Sequence, residues 1–218
     1  MDSVTIIIPC YNQAHWLPDA IESALSQTIP CDVIVVNDGS PDNTSSVAQN
    51  YAVRLIEKEN GGLSSARNAG IRKAKTTWVL TLDADDKIAP DFVEKCLAKA
   101  KTTNADIIGT GQQEFGDSNR QYQFLDNPSH EDFRSANRIN CCSLFKKEIW
   151  ESIQGYDENM KLGYEDWDFW LRATQKGYKV SVVNEFLFFY RKHGISMVTT
   201  ARKHHKEIVD YMHSKLVV

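Results

Sequence analysis

Two short runs rich in β-branched residues, Val4-Thr5-Ile6-Ile7-Ile8 and Val33-Ile34-Val35-Val36, constrain the fold of this chain more than any other feature. Neither alternates apolar with polar residues, so each suits a strand covered on both faces, as in a parallel sheet with helices above and below. Between them, Leu17, Ile21, Ala24 and Leu25 predict a helix over 17–27 with one apolar stripe. Strand, helix and strand in that order form a unit whose crossover is right-handed.

The alternation continues through the first half. Helices are expected over 44–51 and 63–73, strands over 54–57 and 77–82, a helix over 91–101 with Phe92, Cys96 and Leu97 inward, and a strand over 106–110. This is an α/β pattern with a mostly parallel central sheet flanked by helices. Beyond residue 110 the regularity lapses. Residues 111–128 read as a loop or hairpin, 141–145 as a strand, 146–152 and 164–175 as helices, 179–190 as extended and 202–215 as a terminal helix. A chain of 218 residues suits one domain with a full core.

Composition removes several functions. A formal net charge of -4 gives no long-range attraction for nucleic acid, and the local run Arg202 to Lys206 reads as the solvated face of the terminal helix. Five cysteines without a CxxC pair fit neither a disulfide framework nor a zinc site, and a cytoplasmic, reducing setting is expected. No run approaches the roughly 20 apolar residues of a membrane span, so any membrane association is expected to be peripheral.

In parallel sheets, ligands bind outside the carboxyl ends of the strands. Three polar segments fall there: Pro9-Cys10-Tyr11-Asn12, Asn37-Asp38-Gly39-Ser40 and Asp83-Ala84-Asp85-Asp86. Tyr11 offers a flat face to a base, Asp38 accepts hydrogen bonds from base or ribose, and Gly39 allows close approach to the backbone. Three crowded carboxylates repel unless a cation sits among them, and oxygen ligands suit magnesium or manganese. A divalent ion on Asp83 and Asp85 would neutralise a bound diphosphate as a leaving group. Glu59-Asn60-Gly61-Gly62 leads into the helix carrying Arg67, which would clamp a phosphate or orient an acidic neighbour. A GxGxxG fingerprint is absent. The helix beginning near Glu165-Asp166-Trp167-Asp168 places acids in its first turn, where the macrodipole keeps a carboxylate ionised, as a general base requires. Asp168 is expected to serve only that dipole or solubility. Trp167 and Trp170 would offer faces to a sugar, with helical spacing sending at least one, Trp170, into the core. His193 follows the long extended segment; His15, His130, His204, His205 and His213 read as surface or packing residues.

Together, Ile6 to Asn12, Val36 to Ser40, Gly61 to Gly70, Leu82 to Asp86 and Glu165-Asp166 resemble the GT-A glycosyltransferases, and within them the inverting enzymes of family 2. The resemblance is specific from about residue 4 to 92, patchy to 155, and good again through Glu165-Asp166. It implies one GT-A domain over 1–218, with 1–110 as the nucleotide-sugar half and 111–218 as the acceptor side. By the same resemblance Pro9, Tyr11, Asn12, Asp38, Gly39, Arg67, Asp83, Ala84 and Asp85 surround the nucleotide, with Tyr11 stacked on the base and Asp38 bonded to it. Asp83 and Asp85 match the DxD motif, Asp85 as the direct metal ligand. Asp166 matches the catalytic base, and His193 a histidine that completes the metal site in some relatives. The implied cofactor is Mn2+ or Mg2+. The implied donor is a nucleotide diphosphate sugar, UDP-linked first and GDP- or dTDP-linked after it, and the acceptor a glycan or other hydroxyl bound near 111–138, Trp150 and Trp167. Two other function classes are compatible with such a fold. Sugar-nucleotide nucleotidyltransferases carry a Gly-rich basic loop after the first strand, which is missing here, and a non-catalytic glycan-binding protein would not need the intact acids and Arg67.

Overall fold

The structure is a computed structural model that describes residues 3–194 and 197–216. Its elements run β1 (Val4–Cys10), α1 (Leu17–Leu25), β2 (Asp32–Asn37), α2 (Thr44–Ala48), β3 (Arg54–Glu57), α3 (Leu63–Lys73), β4 (Trp78–Thr81), β5 (Lys87–Ile88) and α4 (Phe92–Thr103). There follow β6 (Ile107–Gly116), β7 (Gln121–Tyr122), α5 (His130–Ser135), β8 (Leu144–Lys146), α6 (Lys147–Ser152), α7 (Glu165–Gln175), β9 (Val180–Lys192), α8 (Met197–Lys203) and α9 (His205–Ser214).

β1 is the spine, buried along its whole length and paired in parallel with β2 on one side and β4 on the other. The sheet order is β3-β2-β1-β4-β8-β6-β9-β5, with β7 on β6. β8 runs antiparallel to both β4 and β6, so the sheet is mixed beyond its parallel half. Side chains on β1 alternate between two cores. Ile6 and Ile8 pack with Leu17, Ala20 and Ile21 of α1 and with Phe92 and Cys96 of α4. Ile7 packs on the opposite face with Ala66 and Ile71 of α3 and Phe169 and Trp170 of α7. This two-sided burial is what unbroken apolar strands require.

Several boundaries differ from expectation for physical reasons. β1 runs past the apolar run through Pro9, which pairs in register with Val36, since proline tolerates an extended backbone and forfeits only one N–H. Leu25 is 42% exposed, so the inward stripe of α1 is Leu17, Ala20, Ile21 and Ala24. Of the loop and the hairpin expected over 111–128, the structure has the hairpin, β6 with β7, and residues 111–116 also continue along β9 past a bulge at 110–112. The single terminal helix breaks at His204 into α8 and α9, so the basic run straddles a junction instead of lining one face. α5 was not foreseen, although its capping box, Ser129 with Asp132, was legible. β5 has only two residues, too few for a periodic signal.

α3 matters most for the site, because Arg67, Asn68 and Gly70 are all buried on it. Its close approach to the sheet depends on Gly70, where a Cβ would lie 2.4 Å from Cγ2 of Ile7 and 3.1 Å from Val36. Gly70→Val is therefore expected to force α3 away from β1 and to lower stability by about 1–3 kcal/mol or more, as overpacking does. Urea unfolding checks this; an unchanged midpoint would contradict the packing described.

Candidate active site

β1, β2 and β4 are parallel, so Tyr11, Asp38 and Asp83 emerge at one edge of the sheet. The loops there are laced together: the Asn12 N–H donates to Ser40 Oγ at 3.1 Å, and the Ala14 N–H to Asp42 at 2.9 Å. Tyr11 is 50% exposed, leaving its ring free at the rim. Pro9 lies inside the buried strand, and Ala84 turns its methyl into the core, so both shape the edge through backbone alone.

Asp38 and Gly39 do something other than the simplest reading of them. Asp38 is buried; it accepts the Lys58 ammonium at 2.5 Å and the N–H groups of Gly61 and Gly62 at 3.1 and 2.8 Å. The carboxylate thus clasps the loop before α3. Gly39, at φ 70°, lets that same loop approach closely, since a Cβ would sit 2.7 Å from the Asn60 nitrogen.

Between the two readings of Arg67, the structure shows the acidic neighbours. The guanidinium is fully buried and donates to Glu165 Oε1 and Asp83 Oδ1, each at 2.7 Å. Burial opposes its charge, but Asp83 and Glu165 outweigh that and hold its pKa well above the usual range. Nη1 and Nη2 each hold a carboxylate, whereas Nε is buried without a partner. One cation therefore joins the end of β4 to the start of α7.

The remaining acids divide their work. Asp85 Oδ2 meets His193 Nε2 at 2.8 Å. Asp86 is buried; its Oδ1 accepts the Arg191 N–H at 2.7 Å, and burial, with Asp85 and Asp83 adding to it, pushes its pKa well above the usual range. Among the described residues, no three His, Cys, Asp or Glu side chains gather into a metal cage. A carboxylate beside an imidazole is nonetheless a fitting donor pair for manganese or magnesium, which take one or two protein ligands and complete their shell with phosphate oxygens and water. Asp83 gives one carboxylate oxygen to Arg67, whereas Asp85 and His193 face one another directly.

Asp166 sits just inside α7, after a sharp turn in which Gly163 and Tyr164 have φ of 111° and 62°. It keeps some solvent access although protein atoms crowd around it, and Oδ2 accepts Asn137 Nδ2 at 2.8 Å. The helix dipole does not hold its pKa down, as first expected. Burial raises it to about 7, with Glu165 adding to the shift and Arg67 and Asn137 opposing it. Asn137 went unnoticed in the sequence, where an isolated asparagine in a polar stretch carries no signal.

Two further corrections concern α7. Asp168 is no solvated acid: it is fully buried and pairs with Arg172 at 2.8 Å and Lys215 at 2.5 Å. Trp167 and Trp170 are both buried, and the Trp167 indole N–H donates to the Phe133 carbonyl. Neither offers a face to a sugar. Trp150 is half-buried and donates to Asn68 Oδ1 at 2.9 Å, beside a cavity of about 500 Å³. That cavity lies away from the strand edge, and of its polar lining Asn68 and Arg172 are hydrogen-bonded to neighbouring residues.

Comparisons with known proteins give the family and the fold. A family model described as "Glycosyl transferase family 2" matches residues 5–172. The chain is 31% identical over 215 residues to an uncharacterized glycosyltransferase, EpsJ, of Bacillus subtilis (strain 168), covering 89% of this chain and 62% of that protein. It is also 31% identical over 226 residues to the chondroitin synthase of Pasteurella multocida (strain Pm70), covering 95% of this chain and 23% of that one. The chain thus spans less than two thirds of either relative. Among solved structures, S. aureus TarS 1-349 in complex with UDP-GlcNAc superposes with a TM-score of 0.80 at 17% identity, over 99% of this chain and 68% of that one. The mannosyltransferase PcManGT from Pyrobaculum calidifontis, in complex with GDP-Man and Mn2+, gives 0.68 at 19% identity, over 95% and 60%. These likenesses show a shared fold.

The raised pKa of Asp166 has a consequence for stability. A carboxylic acid whose pKa is about 7 folded and near 3.8 unfolded favours the folded state below pH 4, and this contribution is lost as pH rises through 7. Asp166→Asn keeps the partner of Asn137 without the charge. It is expected to melt at least about 2 °C higher than the native protein at pH 8, with the gap closing at pH 4. Melting curves at the two pH values check this; a lower melting temperature at pH 8 would contradict it.

Proposed function

The chain belongs to glycosyl transferase family 2, and from that premise we propose that it transfers a sugar from a nucleotide diphosphate sugar to an acceptor hydroxyl with inversion, in glycan or polysaccharide synthesis. The observation that carries this reading is the Arg67 bridge, which brings the Asp83-Ala84-Asp85 turn and the Glu165-Asp166 helix start to one place.

In this reading the base of the donor lies against the exposed face of Tyr11, over the loops bound by Asp38 and Asn12. UDP is the first carrier to test, because TarS was solved with UDP-GlcNAc; the GDP-Man complex of PcManGT makes GDP the second. Asp85 and His193 would hold a manganese or magnesium ion, which when bound neutralises the diphosphate charge and stabilises it as a leaving group.

Asp166 takes the proton of the acceptor hydroxyl. The acceptor oxygen then attacks the anomeric carbon on the face opposite the diphosphate. The bond from that carbon to the diphosphate oxygen breaks, and its electron pair leaves with the nucleotide. No covalent glycosyl-enzyme nucleophile is required. A base with a pKa near the working pH combines a useful ionised fraction with real proton affinity, and Asn137 holds that base in orientation.

Thermal shift with UDP-, GDP- and dTDP-sugars, with and without Mn2+, tests the donor, since a ligand of the folded state raises apparent stability. Stabilisation by one nucleotide family that grows with Mn2+ is expected; none by any would contradict the reading. In a transfer assay with the sugar so identified, Asp85→Ala is expected to abolish the metal-dependent part of donor binding. Asp166→Asn should leave that binding nearly intact and lower transfer by about 100-fold or more. Because the base must be ionised, kcat/KM should rise with pH through a midpoint near 7. Asn137→Leu removes a donor that stabilises the carboxylate, so it should move that midpoint upward; a downward move would contradict the assignment.

A further inference from the structure

Arg191 lies near the end of β9, two residues before His193, and its side chain is only 9% exposed. Its guanidinium is sandwiched between two aromatic rings, 4.0 Å from the centroid of Trp16 and 4.3 Å from that of Phe115. Cation–π contacts of this kind strengthen when desolvated. In the plane of the fork, Nε donates to the carbonyl of Asp85 at 2.7 Å and Nη2 to Asp19 Oδ2 at 2.5 Å. Its backbone N–H donates to Asp86 Oδ1 at 2.7 Å.

These contacts join four parts of the fold: the start of α1, the far end of β6, the turn after β4, and β9 itself. Two of them fall on Asp85 and Asp86, the turn that presents Asp85. The Trp16 ring that covers the guanidinium also lies 5.8 Å from the His193 ring. Arg191 thus grips the Asp85 main chain, while the strand it belongs to delivers His193 to the Asp85 carboxylate. A lysine would not serve, because a point charge cannot fill a flat slot between two rings and donate sideways to two acceptors at once.

We propose that Arg191 is a positioning residue that holds Asp85 and His193 in register, and that it acts through the main chain of the turn and not by touching substrate. The proposal rests on the donor and metal reading above and names the residue that sets the geometry of that site. Groups that orient metal ligands from behind typically influence metal affinity by about 10- to 100-fold.

The test compares Arg191→Lys and Arg191→Met with the native protein in two measurements. Hydrogen exchange in metal-free protein reads the order of residues 84–88 and 190–193 without any ligand. Titration with Mn2+ in the presence of UDP, followed by electron paramagnetic resonance, reads the site. Both variants are expected to exchange faster across the turn and to bind Mn2+ about 10- to 100-fold more weakly. UDP binding in EDTA should be unchanged. Unaltered exchange and unaltered Mn2+ affinity in both variants would overturn the proposal. If the native protein takes up no Mn2+ with UDP, the donor and metal reading falls and the exchange data alone decide whether Arg191 orders the turn. Should both variants fail to fold, Asp19→Ala, which removes one acceptor of the fork at a half-exposed position, supplies the same comparison. Faster exchange across the turn supports the proposal, and unchanged exchange overturns it.

Discussion

The buried guanidinium of Arg67 is the interaction on which the rest of the site depends. A cation out of contact with water is tolerable only with carboxylates against it, and Asp83 and Glu165 supply them from opposite halves of the chain. The arrangement is a requirement in both directions. Without Arg67, Glu165 would be a buried unpaired anion; without the acids, Arg67 would be a buried unpaired cation. Because such pairs resist any change of geometry that separates them, the end of β4 and the start of α7 are held at a fixed relation. Chemistry that needs a leaving-group end and a base end in one cleft gains its frame from this.

The same frame sets the character of Asp166. It follows Glu165 directly, so the residue that pairs with Arg67 also places a second carboxylate in a crowded, poorly solvated setting. Burial and the Glu165 charge raise its pKa to about 7, which favours a base and disfavours the folded protein at alkaline pH. Structural and functional demands pull opposite ways at this residue. Asp168, two residues further along the helix, shows the alternative: fully buried, it is neutralised outright by Arg172 and Lys215.

How much of this was legible in the sequence follows from the range of each interaction. The β-branched runs, the acids after Leu82 and the Glu165-Asp166 pair are local patterns, and the strands and the strand edge could be placed from them. What could not be read was who pairs with whom. Arg67 and Glu165 are 98 residues apart, and Arg191 meets the Asp85 main chain across 106. Asp168 looked solvated because the lysine that neutralises it sits near the last described residues. Asp38 and Gly39 resembled a ligand-binding pair on their own; only the folded loop of Lys58 to Gly62 shows that they first hold the chain. Arg191 had a signal, a lone arginine in an aromatic-rich strand, but its partners Trp16 and Phe115 lie far away in sequence.

The central claim, that the Arg67 bridge frames the site and does more than stabilise the fold, is tested most directly by the transfer rate of the double variant Arg67→Met with Glu165→Leu. Replacing a buried ion pair by apolar residues of similar size is often neutral or stabilising, so this variant is expected to fold. With the frame gone, Asp83 and Asp166 lose their common support, and misplacement of about 1 Å is enough to lower transfer about 100-fold. A folded double variant with transfer reduced by that order is the predicted result. A folded double variant that transfers sugar at the native rate would contradict the account.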